Sequence, residues 1–284
     1  MAKFLTVLIC TVALFSCKTI TLKRESFFDA PVNKIRLFES PDLAENNLSY
    51  KTTRIQVADS VKIEIRTIST KNPENCFFFF TPSSNTIAIF EEMMEKVALQ
   101  TNSKVIGIQY RGFNYSDGTP HFDTCFKDNE IIFSTFKNEI HKYKTVNFVG
   151  LSIGTIFAPK LAAAHKDEIS NLILMSTFST PQSMLTGIKS SIPSIVRPFI
   201  KLKADKNLYF LNNVITLENF QNGLLIVQAK DDAETNYKMA VELYETSHTT
   251  KKELMTLESG GHFAPFSKKY IDSIVSKISG FIKK

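Results

Sequence analysis

The sequence predicts an α/β domain: a mostly parallel sheet of about eight strands, covered by helices on both faces, with a small cap segment. Three observations carry this. Short unbroken apolar runs, Cys76–Phe80, Leu172–Met175 and Leu224–Val227, suit strands buried on both faces. Segments of helical periodicity lie between them, and strands alternating with helices build a parallel sheet wrapped on two sides. The length of 284 residues at 43% hydrophobic suffices for one large core. No repeat of roughly 20–50 residues is visible, which argues against solenoids and propellers.

The chain opens with an address rather than a structural element. Lys3 supplies a positive start, and Phe4–Phe15 is an almost wholly apolar stretch of twelve residues. That is too short to cross a bilayer, which needs about 20, but it suits the apolar core of a signal peptide. It ends in Leu14-Phe15-Ser16-Cys17, which resembles the lipobox of bacterial lipoproteins. The resemblance implies cleavage before Cys17, acylation of that cysteine, and a protein tethered by lipid to a membrane of the cell envelope, facing the periplasm or the surface. The alternative is an ordinary secretory signal with Cys17 unmodified. On this reading residues 1–16 are the signal peptide, 17–49 a mixed, polar tether, and 50–284 the domain.

Within the domain, Ile55, Val57, Val61, Ile63 and Ile65 alternate with polar residues around Ala58-Asp59-Ser60, the pattern of an antiparallel hairpin with one solvated face. Cys76–Phe80 is the first buried strand, ended by Thr81-Pro82-Ser83-Ser84-Asn85-Thr86. Ile87–Leu99 reads as a helix, Val105–Gln109 as a strand and Asp128–Tyr143 as a helix with Ile131, Ile132, Phe136 and Ile140 on one face. Later come strands at Leu172–Met175, Leu224–Val227 and Glu253–Leu257, with helices at Tyr237–Tyr244 and Tyr270–Phe281. Cys76 and Cys125 are expected to lie apart and unbridged, one near a strand's start and the other beyond the far end of another.

The formal net charge is +6, but the basic residues are scattered, and no helix-turn-helix or zinc-finger spacing occurs. A lysine-rich solvated surface is the reading, with no nucleic-acid partner. No metal, cofactor or obligate protein partner is inferred.

The segment that organises the chain is Thr145-Val-Asn-Phe-Val-Gly-Leu-Ser-Ile-Gly154. Val146, Phe148 and Val149 read as a strand, and Ile156, Ala158, Leu161 and Ala162–Ala164 as a helix. A strand that turns straight into a helix through Gly-x-Ser-x-Gly is a nucleophile elbow. The tight turn holds Ser152 in strained geometry, so its flanks must be very small. It raises the hydroxyl at a helix N-terminus, where backbone N–H groups favour an anion.

Further landmarks follow in order. Tyr110-Arg-Gly-Phe-Asn-Tyr-Ser-Asp-Gly-Thr-Pro120 is similar to the Tyr-Arg-Gly-x-Gly-x-Ser-x-Gly-x-Pro loop of serine aminopeptidase-like and acyl-thioesterase-like α/β hydrolases. Gln228-Ala-Lys-Asp-Asp232 stands where that superfamily often has His-Gly-x-x-Asp, and Gly260-Gly261-His262 where it has Gly-Gly-His. The chain therefore resembles an α/β hydrolase from about Ile55 to Lys284.

The resemblance implies a Ser-His-acid triad. Ser152 would be the nucleophile, activated by His262, the one histidine of five that sits in Gly-Gly-His before a terminal helix. Asp232 would orient the imidazole, with Asp231 as the rival if the loop shifts by one. The oxyanion of a tetrahedral intermediate would be met by the N–H of Ile153 and by Ser83 in the loop after Phe80. His121, His141, His165 and His248 read as surface or structural residues, and Arg111 as a clamp for its own loop.

Three departures stand out. Thr81-Pro82 replaces a usual His-Gly, and Pro82 has no N–H to donate. Gln228-Ala229 replaces another His-Gly, and Thr155 stands where a second glycine is frequent. The strongly apolar segment at about 178–219, with interspersed Lys189, Arg197, Lys201 and Lys203, is read as a small cap forming an acyl-binding wall, or else as an ordinary crossover. A third reading has it touching lipid. The function expected is a metal-free serine hydrolase cleaving a carboxylic ester or thioester, with a peptidase or a non-catalytic binding lipoprotein as alternatives.

Overall fold

The computed structural model describes residues 18–28, 34–40, 42, 45–83 and 87–284. Cys17 and the signal residues 1–16 lie outside the described residues. In chain order the strands are β1 (Lys18–Leu22), β2 (Ser49–Ala58), β3 (Val61–Ser69), β4 (Asn75–Phe80), β5 (Ser103–Ile108), β6 (Thr145–Leu151), β7 (Asn171–Met175), β8 (Ile200–Ala204), β9 (Gly223–Ala229) and β10 (Lys252–Leu257). Eight of them form one sheet in the order β10-β9-β7-β6-β4-β5-β3-β2. The pairs β2/β3 and β3/β5 are antiparallel, and the rest of the sheet is parallel.

The helices are α1 (Glu91–Thr101), α2 (Phe122–Ile140), α3 (Gly154–Ala164), α4 (Pro181–Ser191), α5 (Asn213–Thr216), α6 (Tyr237–Thr246) and α7 (Ile271–Ile282). They bury two separate cores. Phe77 and Phe79 join the cluster under α1 and α7, whereas Phe78 and Phe80 join the one under α2, α3 and α6. Alternate side chains of one strand thus feed opposite cores, which is why β4 reads as an unbroken apolar run.

Helix α2 starts six residues before the predicted Asp128. Phe122 and Cys125 extend its buried stripe toward Ile132 and Phe133, but the intervening Asp123, Thr124 and Lys127 mask that period in the sequence. Cys76 and Cys125 are both buried and unbridged, as expected.

Part of the stretch predicted to be a tether is strand. Lys18–Leu22 pairs in parallel with Ile200–Ala204, aligning Lys18 with Ile200 and Leu22 with Ala204. Phe27 and Phe28 then pack on Phe122, at ring separations of 5.4 and 5.1 Å. Between β7 and β9 the chain is not a single crossover helix: it carries α4, β8 and α5, and Leu208, Leu211, Leu217 and Phe220 sink into the core beside Phe157 and Phe178.

All the parallel strands end at one edge of the sheet. The loops leaving β4, β6, β7, β9 and β10 therefore converge there, carrying Ser83, Ser152, Ser176, Asp232 and His262.

Candidate active site

Ser152 lies one residue past β6 with φ +52°, in the left-handed region that residues other than glycine seldom adopt. Its N–H bonds to the Met175 carbonyl at 3.1 Å, which ties the turn to β7. A Cβ on Gly150 would sit 2.7 Å from the Gly154 carbonyl oxygen, and one on Gly154 would sit 2.0 Å from that of Phe80. Neither position has room for a side chain, so the glycine spacing is a steric requirement of the bend. Thr155 pins it further: its hydroxyl donates to the Ser152 carbonyl at 2.5 Å and accepts the Phe178 N–H at 2.9 Å.

Ser152 Oγ is 2.8 Å from His262 Nε2. On the other side of the ring, His262 Nδ1 is 2.9 Å from Asp232 Oδ2 and 3.1 Å from Oδ1. Three side chains spread over 110 positions thus form one hydrogen-bonded row. His262 is delivered by Gly260 (φ +119°) and Gly261 (φ +66°), conformations suited to glycine. Its carbonyl accepts the Ser176 hydroxyl at 2.6 Å.

Asp231 does something else. Its carboxylate accepts the N–H groups of Gly260 at 3.0 Å and Gly261 at 2.9 Å, bracing the histidine loop from outside. Those two bonds hold its carboxyl below the usual value. Of the two neighbouring acids, Asp232 is the one that meets the imidazole.

Asp232 is buried but well supplied with donors. Oδ1 accepts the N–H groups of Glu234 and Thr235, both at 2.9 Å, and Oδ2 accepts the Thr235 hydroxyl at 2.9 Å and Gln228 Nε2 at 2.8 Å. Burial alone would raise its carboxyl, but His262 and Thr235 outweigh that and hold it below the usual value. For His262, burial acts to lower the imidazole, and the bond and charge of Asp232, helped by Glu234, reverse the sign and leave it raised. Glu234 Oε2 lies 3.7 Å from His262 Nε2 with its side chain largely exposed.

The two predicted oxyanion donors sit at the expected edge. The Ile153 N–H, directly after Ser152, meets no protein acceptor among the described residues. Ser83 is half-buried at the start of the loop leaving β4, and residues 84–86 lie outside the described residues. Thr81 anchors that loop's root: its hydroxyl donates to the Ile108 carbonyl at 2.9 Å, and its carbonyl accepts the Tyr110 hydroxyl at 2.8 Å. Arg111 clamps its own loop to α2 through a two-pronged pair with Asp128 at 2.5 and 2.7 Å. His165 is tied up with Glu130 and Glu168.

Sequence reasoning treated Gln228 and Thr155 only as departures, and it missed Thr235. Each is a buried polar residue at the sheet's C-terminal edge, a placement that only the fold reveals.

A family model described as the alpha/beta hydrolase fold matches residues 84–197. The esterase Pf2001 of Pyrococcus furiosus superposes with a TM-score of 0.68 at 16% identity, covering 89% of this chain and 97% of that one. The chain has the α/β-hydrolase fold. Two relatives share part of this sequence. An uncharacterized membrane protein of Saccharomyces cerevisiae is 21% identical over 225 residues, 79% of this chain and 76% of that protein. The alpha/beta hydrolase domain-containing protein WAV2 of Arabidopsis thaliana is 26% identical over 182 residues, 61% of this chain and 56% of that protein.

Proposed function

We propose that this α/β-hydrolase-fold chain is a serine hydrolase that cleaves a carboxylic ester or thioester through an acyl-enzyme, held on a bacterial envelope membrane by lipid at Cys17. The observation that carries the chemistry is the row Ser152 Oγ, His262 Nε2, His262 Nδ1, Asp232 Oδ2 at 2.8 and 2.9 Å. A serine hydroxyl becomes a competent nucleophile when an adjacent base takes its proton. Neutral His262 accepts that proton as Oγ bonds to the acyl carbon. The imidazolium, stabilised by Asp232, then protonates the departing alcohol or thiol. Water, deprotonated by the same imidazole, releases the acid and returns the proton to Ser152. The Ile153 N–H and a donor from the Ser83 loop would hold the oxyanion, each such donor contributing a factor of about 10²–10³.

The esterase name of the Pyrococcus relative and the apolar segment between β7 and β9 support acyl substrates. A peptidase is the second reading, and the exposed Glu234 carboxylate beside His262 favours it, since a peptide's free amine needs an acid nearby. A series of p-nitrophenyl esters of rising chain length, run against an aminopeptidase substrate, separates the two. Ester turnover that depends on Ser152 supports the first reading, and turnover of the amide alone supports the second. The anchor is tested by fatty-acid labelling, which Cys17→Ala should abolish.

A further inference from the structure

We infer that the face formed by residues 178–219 and β1 lies flat on an anionic lipid bilayer. The inference rests on the proposed acylation of Cys17 for how the chain reaches the membrane and for where on this face the anchor lies; the exposed apolar residues and the lysines argue for the face independently. Exposed large apolar side chains are concentrated here: Ile195 is 80% exposed, Ile215 66% and Tyr209 53%, with Val196 and Phe210 also exposed. These five fall within 42 consecutive positions, and a cluster, unlike a single exposed apolar residue, calls for an explanation.

The charge on this face is predominantly positive. A cleft of ≈ 700 Å³ between α4 and β8 is bordered by Lys189, Lys201, Lys203 and Lys206. No ion pair joins any of the four to a carboxylate among the described residues. Lys201 and Lys203 are the exposed alternate positions of β8, so they project together on one side of the strand. Residues 178–219 hold five basic side chains against the two acids Asp205 and Glu218, and Lys160 adds a further cation 4.9 Å from the Phe210 ring. Apolar tips set among unpaired lysines are the composition that binds a negatively charged interface. Strand pairing supplies the direction: Lys18, the residue after Cys17, is aligned with Ile200 in the middle of this face.

The full-length protein is reconstituted into phosphatidylcholine vesicles with and without phosphatidylglycerol, each containing a lipid-borne quencher. A fluorophore is placed at Ile195→Cys or, as control, at Leu99→Cys. Leu99 is 48% exposed near the end of α1, at the opposite edge of the sheet. Quenching at position 195 is expected to exceed that at 99 by about threefold or more on anionic vesicles. It should fall toward parity without phosphatidylglycerol or in Lys189→Glu/Lys201→Glu/Lys203→Glu, whose fold is checked by reaction with a fluorophosphonate. Equal quenching at the two positions on vesicles that retain the protein would overturn the orientation. A contrast indifferent to the charge reversal would overturn the lipid assignment and point to a protein partner. Fluorophosphonate reaction and acylation of Cys17 are read on the same preparations, so failure of the hydrolase or anchor reading is told apart from failure of this one.

Discussion

Gln228 Nε2 donates to Asp232 Oδ2 at 2.8 Å from the fully buried end of β9. The same nitrogen donates to the Thr235 carbonyl at 2.7 Å, and Gln228 Oε1 accepts the Thr177 N–H at 2.8 Å. One carboxamide therefore locks the acid-bearing loop to the loop after β7. Losing a buried bond to a charged group costs about 1.5–3 kcal/mol. Gln228→Ala should thus lower kcat by roughly 10- to 100-fold while leaving KM for a short ester nearly unchanged. A change confined to KM would mean that Gln228 acts on substrate binding rather than on the position of Asp232.

The division of labour between adjacent acids gives a sharper contrast. In serine proteases the acid-to-amide exchange at the triad lowers kcat by about 10⁴-fold, because the wrong imidazole tautomer is held. Asp232→Asn should approach that loss. Asp231→Asn removes only a brace on the Gly260 and Gly261 N–H groups and should stay within about tenfold of wild type. Steady-state ester hydrolysis by the two variants decides it, and a reversed order would put the wrong acid on the histidine.

The pH profile follows from the same contacts. The proposed reaction needs neutral His262, and its imidazole is raised above 6.5 by Asp232 against the opposing effect of burial. The acid limb of kcat/KM should therefore have its midpoint above 6.5 and move down in Asp232→Asn. Stability responds with two signs. The raised His262 contributes stability that is fully present below 6.5 and is lost as pH rises through its folded pKa. The lowered Asp232 contributes above 3.8 and loses its contribution as pH falls through its folded pKa. The Tm difference between wild type and His262→Ala should accordingly be widest between these limits and narrow on either side.

Two glycines should respond oppositely to the same methyl group. Gly154→Ala drives a Cβ to 2.0 Å from the Phe80 carbonyl oxygen, so it should lower stability by about 1–3 kcal/mol and displace Ser152. Gly280→Ala, on an exposed turn of α7 with nothing within 4 Å, should raise stability by about 0.5–1 kcal/mol. Urea unfolding of both variants measures the contrast.

The sheet and the row of three were legible because each leaves a local mark. Buried parallel strands read as apolar runs such as Phe77–Phe80, and the elbow's glycines are forced by backbone approaches that no side chain survives. Ser152, Asp232 and His262 each end or follow a strand, and parallel strands bring such positions to one edge. What stayed hidden depends on distant contacts. Lys18–Leu22 is a strand of only five residues, and its partner lies about 180 positions away. Gln228 reads as the tail of an apolar strand, and only the fold reveals that its carboxamide faces Asp232 and Thr177. The resemblance favours Asp232 over Asp231 by spacing, and Asp232 is the acid on the imidazole, but the brace that Asp231 gives Gly260 and Gly261 shows only in the fold.

The most direct measurement is reaction of the full-length protein with a fluorophosphonate, followed by mass mapping of the modified peptide. A stoichiometric adduct on Ser152, abolished in Ser152→Ala and strongly slowed in His262→Ala, is the predicted result. Folded protein that takes up no label, or takes it up equally well without His262, would contradict a nucleophile activated by that imidazole.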